Sequence, residues 1–278
     1  MAVHTSAFYY GNQLALAELP TLVDQVLTQS GTGGLVAPRP LQIIGVYVGG
    51  ADSAQVVAPT LAQVTAPWIR PLETAAAPAS SPALASLAEH PLPLPAGESV
   101  RLKANRGSAG VVAGLLFFAD RVELPPAGPR YIVKGSAANT AVVPAAPAAY
   151  LASWSPLPVA WNEQLPAGRY KIVCFEFIAG AAGTGTAAPI AARLVLAGQT
   201  FRPGTLAFPM VGGKYQNSRY LYDSAFGVLG EFESFAMPSV EVLENGNAAS
   251  TYDFTVYMHV VRVADAAGKP CGCSGGRG

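Results

Sequence analysis

Charge is scarce in this sequence of 278 residues. Only 12% of the residues are charged, about half the usual share, and 17 Lys plus Arg balance 17 Asp plus Glu. No run of lysines or arginines occurs, so the sequence does not support a nucleic-acid-binding surface. A surface so poor in charge would be adhesive on a free monomer. We therefore expect a protein that hides much of its surface in an assembly.

The residue types that usually carry chemistry are also few. The three histidines, His4, His90 and His259, are scattered, and no His-x-His or Cys-x-x-Cys pattern occurs. Without clustered ligands no metal site is expected. Cys271 and Cys273 could bind a soft metal or link two chains, but a flexible Gly-rich tail is the simpler interpretation. We predict no catalytic, cofactor-binding or metal-binding residues.

Signals for export and membrane insertion are missing as well. The first residues lack a basic stretch followed by an apolar core, so no secretory signal is expected. No apolar run approaches the roughly 20 residues of a membrane-spanning helix. Within residues 1–34, Phe8–Tyr10 could begin a strand, and apolar residues recur at helical spacing from Leu19 to Leu27. This pattern predicts a helix or arm packed on the first domain.

Two similar stretches organise the chain. Ser99–Val122 and Ser239–Val263 both open with Ser-Val, pass an Asn-containing turn at Asn105 or Asn245, and close on a long apolar run that ends in Arg-Val. A short strand, a polar turn and a long strand are typical of a β-hairpin. Its occurrence twice predicts a tandem duplication.

Further matches occur in the same order, with offsets that grow slowly, as insertions into the loops of a duplicated domain would produce. They pair Ile43–Gly49 with Ile172–Ile178, Thr60–Thr65 loosely with Ile190–Leu196, and Ile69–Pro71 with Phe201–Pro203.

The Pro- and Gly-rich segment Leu124–Pro129 is the best domain boundary, since it cannot continue a sheet. We predict an N-terminal arm plus first domain over residues 1–128, a second domain over 129–264, and a flexible Gly/Cys tail over 265–278. The second domain shows about eight candidate strands: Arg130–Lys134, Leu157–Trp161, Tyr170–Ile178, Ile190–Leu196, Thr205–Phe208, Gly227–Phe232, Ser239–Leu243 and Tyr252–Val263.

These strands predict an all-β chain of two tandem jelly-roll domains, each an antiparallel β-sandwich, that arose by internal duplication. An immunoglobulin-like sandwich is the alternative, although its Cys…Trp…Cys pattern is missing. In the closing strand of the first domain, Leu116 and Phe118 should face one side and Leu115 and Phe117 the other. One pair should lie in the core, and a neighbouring domain or subunit should cover the other.

Two groups of side chains are candidates for a site. Glu231 and Glu233 would share one face of a strand and could act in glycoside hydrolysis, although a solvated face is the simpler interpretation. The other group could form a sugar-binding platform or, preferably, a subunit contact; it consists of Tyr215, Arg219, Tyr220 and Tyr222.

Two similar jelly-roll units between Tyr10 and Val263, balanced charge and no catalytic constellation together resemble the double-jelly-roll major capsid proteins of tailless, membrane-containing icosahedral viruses, especially the small bacteriophage versions. The resemblance implies a structural virion protein, not an enzyme, that assembles as homotrimers of pseudo-sixfold outline into an icosahedral shell.

The resemblance also implies the partners. These are other copies of the chain in the trimer and in neighbouring capsomers, and further minor capsid proteins and an internal membrane reached through the N-terminal arm, with no specific nucleic acid. The expected location is the virion, after assembly in the host cytoplasm. Two alternatives remain: a carbohydrate- or receptor-binding tandem β-sandwich of a tail or spike, and a two-domain jelly-roll hydrolase.

Overall fold

The structure is a computed structural model. It describes residues 4–13, 17–18, 28–29, 35–49, 53–58, 68–69, 83–105, 110–142, 154–181, 190–199, 202–210, 214–216, 226–244, 250–265, 267–268 and 271.

Every regular element in these residues is a β-strand. The strands before the linker are β1 (His4–Gln13), β2 (Ala17–Glu18), β3 (Thr28–Gln29), β4 (Leu35–Val36), β5 (Leu41–Gly49), β6 (Ser53–Val57), β7 (Trp68–Ile69), β8 (Ala83–Ser86), β9 (Leu92–Leu94), β10 (Ser99–Asn105) and β11 (Gly110–Ala119). Those after it are β12 (Arg130–Val142), β13 (Ser155–Leu157), β14 (Ala160–Trp161), β15 (Gly168–Ala181), β16 (Ile190–Val195), β17 (Gly204–Met210), β18 (Lys214–Gln216), β19 (Gly230–Glu233), β20 (Ser239–Glu244) and β21 (Ser250–Asp265).

The prediction of an all-β chain of antiparallel strands is confirmed for the described residues. The longest strand, β21, shows why its sequence forms one. Side chains alternate between the two faces of a strand, and buried Phe254, Val256 and Met258 alternate with half-buried Thr255 and Tyr257. Such a segment is stable only in a sheet that packs one face on a core.

Strands β1–β11 form two sheets. One has the order β1-β11-β5-β8, with β9 also paired to β5. The other has the order β3-β4-β10-β6-β7, with β2 also paired to β10. Strands β12–β21 form a single sheet of order β13-β20-β16-β17-β18-β15-β21-β12-β14, with β19 also paired to β15. Strand β17 joins its two parts, because its first residues pair with β16 and its last with β18.

The pairings before the linker recur after it. Strands β1, β11 and β5 are neighbours as β12, β21 and β15 are, and β10, β6 and β7 are neighbours as β20, β16 and β17 are. Strands β8 and β9 both pair with β5, as β18 and β19 both pair with β15. The two parts of the chain thus share one pairing scheme, and every described pairing joins strands on the same side of the linker.

A β-bulge also occurs at corresponding places. In the β5–β11 pair, Ile44 is the extra residue between Ile43 and Gly45. In the β15–β21 pair, Val173 is the extra residue between Ile172 and Cys174. Bulges bend a strand and redirect its side chains, so both sheets are shaped in the same way at this point.

Strand β11 is apolar on both faces, and each face has its own partner. Leu116 and Phe118 belong to the core between the two sheets of β1–β11. Leu115 and Phe117 belong to a different cluster, which also contains the core residues of β12–β21. All four side chains are at most 1% exposed. The predicted division of these residues is confirmed, and the neighbour that covers the second pair lies in the same chain.

Some predicted strands differ from those found. Strand β6 covers Ser53–Val57, for which no strand was predicted. The segment 60–65, matched loosely above to Ile190–Leu196, lies outside the described residues. Two short strands, β8 and β9, lie within residues 74–97, where the sequence predicts a long loop with a short strand or helix. The helical spacing at 19–27 also lies outside the described residues, and the domain limits at 128 and 264 stay a prediction.

Candidate functional site

The two parts of the chain meet at a junction formed by residues 120–129, which contain no strand, and by the segment Phe226–Leu229. The backbone N–H of Val228 donates a hydrogen bond to the carbonyl oxygen of Glu123, with a donor–acceptor distance of 2.8 Å. Gly227 has φ +67°, and a Cβ built there would lie 2.1 Å from the same carbonyl oxygen. Only glycine adopts this conformation and permits this approach without strain.

Aromatic stacking forms the apolar side of the junction. The rings of Phe117, on β11, and Phe226 stack with centroids 4.6 Å apart, and both side chains are fully buried. Such a pair adds about 0.5–1.5 kcal/mol to the stability that burial alone provides. The contact joins the outward face of the β1–β11 sheet to the second part of the chain.

Ion pairs form the polar side. A cleft of about 690 Å³ lies between the linker and strands β15 and β19, and Lys171 and Glu123 form an ion pair in its wall. Arg169 Nε lies 3.1 Å from Glu231 Oε1 in the same wall. These side-chain pairs tie β15 to the linker and to β19, so the charges in the cleft act as structural contacts.

Glu231 and Glu233 lie where the sequence predicted, on one face of a strand, and both are half-buried. Glu231 is held by Arg169, and its backbone carbonyl accepts a hydrogen bond from Gln199 Nε2 at 2.9 Å. The two carboxyl groups stand side by side on β19 instead of facing each other across a cleft, as the pair of a glycosidase does.

The other candidates are not brought together among the described residues. His4 is in β1, His90 is exposed in a turn, and His259 is half-buried on β21. Cys271 is half-buried, and its backbone N–H donates to the carbonyl of Val263 at 3.0 Å. No group of three His, Cys, Asp or Glu within the described part of the chain could hold a metal ion.

The aromatic and arginine group falls largely outside the described residues. Tyr215 lies in β18, whereas Arg219, Tyr220 and Tyr222 are not described. Cys273, the second cysteine of the tail, is not described either.

A buried ion-pair network that was not predicted links β16, β20 and the segment that precedes β17. Glu241 Oε2 accepts hydrogen bonds from Arg193 Nε at 2.6 Å and from Arg202 Nη1 at 2.8 Å. The guanidinium of Arg193 also lies 4.3 Å from the ring centroid of Trp154. Arg193 is 2% exposed, and a buried guanidinium requires such partners. Its position in an otherwise apolar strand was the only signal in the sequence.

One tyrosine near the junction, Tyr170, has a pKa shifted from its ordinary value. Burial raises the pKa of Tyr170, and the positive charge of Arg262 opposes part of that rise. The hydroxyl donates a hydrogen bond to the carbonyl of Pro166 at 2.6 Å. The phenol is therefore a neutral structural donor.

Comparisons with known proteins find no matching sequence family but do find similar solved structures. No family model matches the sequence, and no curated protein sequence matches it. Among solved structures, the chain is similar to the major capsid protein P2 of bacteriophage PM2, with 8% sequence identity and a TM-score of 0.23. The likeness covers 93% of this chain and 98% of the other. With so low a score it carries no argument about fold or role.

Proposed function

We propose that this chain is a structural shell protein, a major capsid protein of a bacteriophage-like virion. It consists of two tandem jelly-roll domains that arose by internal duplication, and it assembles as homotrimers into an icosahedral shell. It is not an enzyme and needs no cofactor.

The repeated pairing scheme carries this proposal. In a jelly roll, a long hairpin of eight strands is rolled into two sheets, so the first strand pairs with the last, the second with the seventh, the third with the sixth and the fourth with the fifth. Before the linker these pairs correspond to β1–β11, β4–β10, β5–β8 or β5–β9, and β6–β7. After the linker they correspond to β12–β21, β13–β20, β15–β18 or β15–β19, and β16–β17.

The bulges support the duplication. Ile44 and Val173 occupy equivalent places in the matching segments Ile43–Gly49 and Ile172–Ile178. A bulge is a designed feature that related domains retain. Shared pairing alone would also be compatible with two unrelated jelly rolls.

The junction supports a role in a shell. Jelly rolls occur in capsids, in lectins and in cupins, so the fold alone does not decide among them. Here stacked rings, a backbone hydrogen bond and an ion pair fix two similar domains side by side. A trimer of such chains presents six similar units, which suits hexagonal packing. The low charged fraction of 12% suits burial of large lateral surfaces.

The same proposal extends to partners and location. Other copies are the main partners, in the trimer and between capsomers. Minor capsid proteins and an internal membrane contact the N-terminal segment, in which residues 4–13 form β1 of the first domain, and no specific nucleic acid is bound. The protein acts in the virion after assembly in the host cytoplasm.

Negative-stain microscopy of the purified chain tests this function. We expect compact trimeric particles that pack into hexagonal arrays or closed shells as concentration rises, and little effect of salt, since salt screens charges but not apolar burial. A monomer that binds glycans would instead favour the carbohydrate-binding alternative. Glycoside turnover that Glu231→Gln abolishes would favour the hydrolase.

A further inference from the structure

Two large apolar side chains near the junction are open to solvent. Leu124, in the linker, is 80% exposed, and Phe235, in the turn that follows β19, is 88% exposed. Single apolar side chains on a surface are ordinary, so the meaning of these two depends on how they are held and on what lies between them.

Hydrogen bonds hold the turn of Phe235 in place. The backbone N–H of Ser234 donates to the carbonyl of Gly168 at 2.9 Å, and the N–H of Gly168 donates to the hydroxyl of Ser234 at 3.0 Å. The N–H of Ala236 closes the turn on the carbonyl of Glu233 at 2.8 Å. The ring therefore stands on a fixed backbone, and a partner that covers it has little backbone entropy to remove.

One continuous surface joins the two apolar side chains. Leu124 lines the cleft beside β15 and β19 together with Arg169 and Glu231. Glu233 comes two residues after Glu231 on the same face of β19, opposite Arg169 in the register. Phe235 follows two residues later. The side chain of Arg169 is 51% exposed, so the surface is open between the linker and the turn.

The two ends of this surface carry opposite charges. Between them, the two ion pairs of β15 neutralise each other. Arg121, in the linker wall of the cleft, and Glu233, beside the turn, form no ion pair with any residue in the described part of the chain. Each end thus combines an exposed apolar side chain with an unpaired charge, Leu124 with Arg121 and Phe235 with Glu233.

We propose that this surface is a contact between two copies of the chain related by a two-fold axis. Phe235 and Glu233 of each copy meet Leu124 and Arg121 of the other. Apolar then faces apolar, and negative faces positive, at both ends of the contact. A two-fold contact uses the same surface on both copies and must be self-complementary, and this order of side chains satisfies that condition.

The inference rests on the proposed function and names a contact within the shell. A two-fold axis relates two copies and cannot relate the three of a trimer. The surface therefore joins chains of neighbouring trimers, and the trimer itself forms through other surfaces.

A charge exchange tests the pairing of the two ends. Arg121→Glu alone and Glu233→Lys alone each set like charges against each other, and sedimentation velocity should show association between trimers weakened at least about tenfold. The double variant restores opposite charges and should recover the association of the parent. Because the two residues lie at opposite ends of the surface in one chain, recovery requires a contact between copies. A double variant that associates no better than the single variants would overturn the inference.

A substitution of the ring separates this inference from the proposed function. Phe235→Lys should raise the dissociation constant between trimers at least about tenfold and leave the trimer intact. Its matched control, Ile132→Lys, changes an apolar side chain on β12 that is 55% exposed and lies outside the surface, so association between trimers should not change.

The outcomes are distinct. Equal losses in the two variants, or parental arrays that Phe235→Lys leaves intact, would overturn the inference and retain the shell protein. Dimers that Phe235→Lys dissociates, in a parent that forms no trimer, would retain the two-fold contact and overturn the shell protein. A parent that stays monomeric would overturn both.

Discussion

The β1-β11-β5-β8 sheet and the β18-β15-β21-β12 part of the second sheet pair their strands alike. Their outward faces carry different side chains. At equivalent positions the first has Phe117 where the second has His259, and Tyr47 where the second has Glu176. The first face is covered within the chain by Phe226 and β17, and its side chains Tyr47, Leu115 and Phe117 are at most 4% exposed. The second is more polar. A face that is covered in every folded chain can be largely apolar, whereas the second face carries a carboxylate, Glu176, that is itself only 6% exposed.

The largest expected effect comes from a substitution in the covered face of the β1–β11 sheet. Phe117→Ala removes a fully buried ring that stacks on Phe226, and the cavity should lower the free energy of unfolding by about 3–5 kcal/mol. His259→Ala at the equivalent position should cost about 1 kcal/mol or less. Chemical denaturation of both variants measures the difference. Equal losses would contradict the comparison.

A substitution at Gly227 should displace the segment Phe226–Leu229, which covers the outward face of the β1–β11 sheet. Alanine there combines a left-handed backbone with a clash against the carbonyl of Glu123, and we expect a loss of at least about 2 kcal/mol. Gly198 is a matched control, since it has φ +70° but nothing within 4 Å of a built Cβ. Gly198→Ala should cost only about 1 kcal/mol. The same denaturation measurement applies, and a Gly227→Ala loss no larger than the control would show that the close approach is unimportant.

A smaller effect is expected from the ion pair that holds the linker. Lys171 and Glu123 are 20% and 23% exposed in their side chains, so Lys171→Met should cost about 1 kcal/mol, with a loss that shrinks at high salt. The Arg39–Asp120 pair is longer, at 3.9 Å, and more exposed. Arg39→Met should therefore change the unfolding midpoint very little. A larger effect at Arg39 would reverse this ranking.

The smallest effect concerns pH. Because burial raises the pKa of Tyr170, its proton leaves the unfolded chain at lower pH than the folded one. The stabilising contribution is complete below the unfolded pKa, about 10, and is lost as pH rises from there through the folded pKa. In Tyr170→Phe this part of the decline should disappear. Parallel stability curves of variant and parent across that range would contradict the assignment.

Local patterns predicted much of this fold. The long apolar run of β11 and the alternation in β21 were visible because side chains on strands repeat every two residues. The two predicted β-hairpins were wrong, because β10 pairs with β6 and β20 with β16, and neither pairs with the strand that follows it. Strand β6 was not predicted, because SAQVV carries a weak apolar signal and gains its stability from pairing with β10. Strands of two or three residues, such as β9, depend wholly on such neighbours.

The site was harder to predict than the fold. Glu231 and Glu233 were correctly placed on one face, but the pairing of Glu231 with Arg169 depends on the register between β15 and β19. The stack of Phe117 on Phe226 joins residues more than a hundred positions apart. Such contacts follow from tertiary packing, which no local window of sequence contains.

Sedimentation equilibrium of the full chain at low and high salt tests the central claim, that the protein is a self-assembling shell subunit, most directly. The monomer mass is 28.6 kDa. We predict three times that mass as the smallest stable species at either salt concentration, because apolar burial holds the copies together. A single species at the monomer mass, at high protein concentration and at both salt concentrations, would contradict the account.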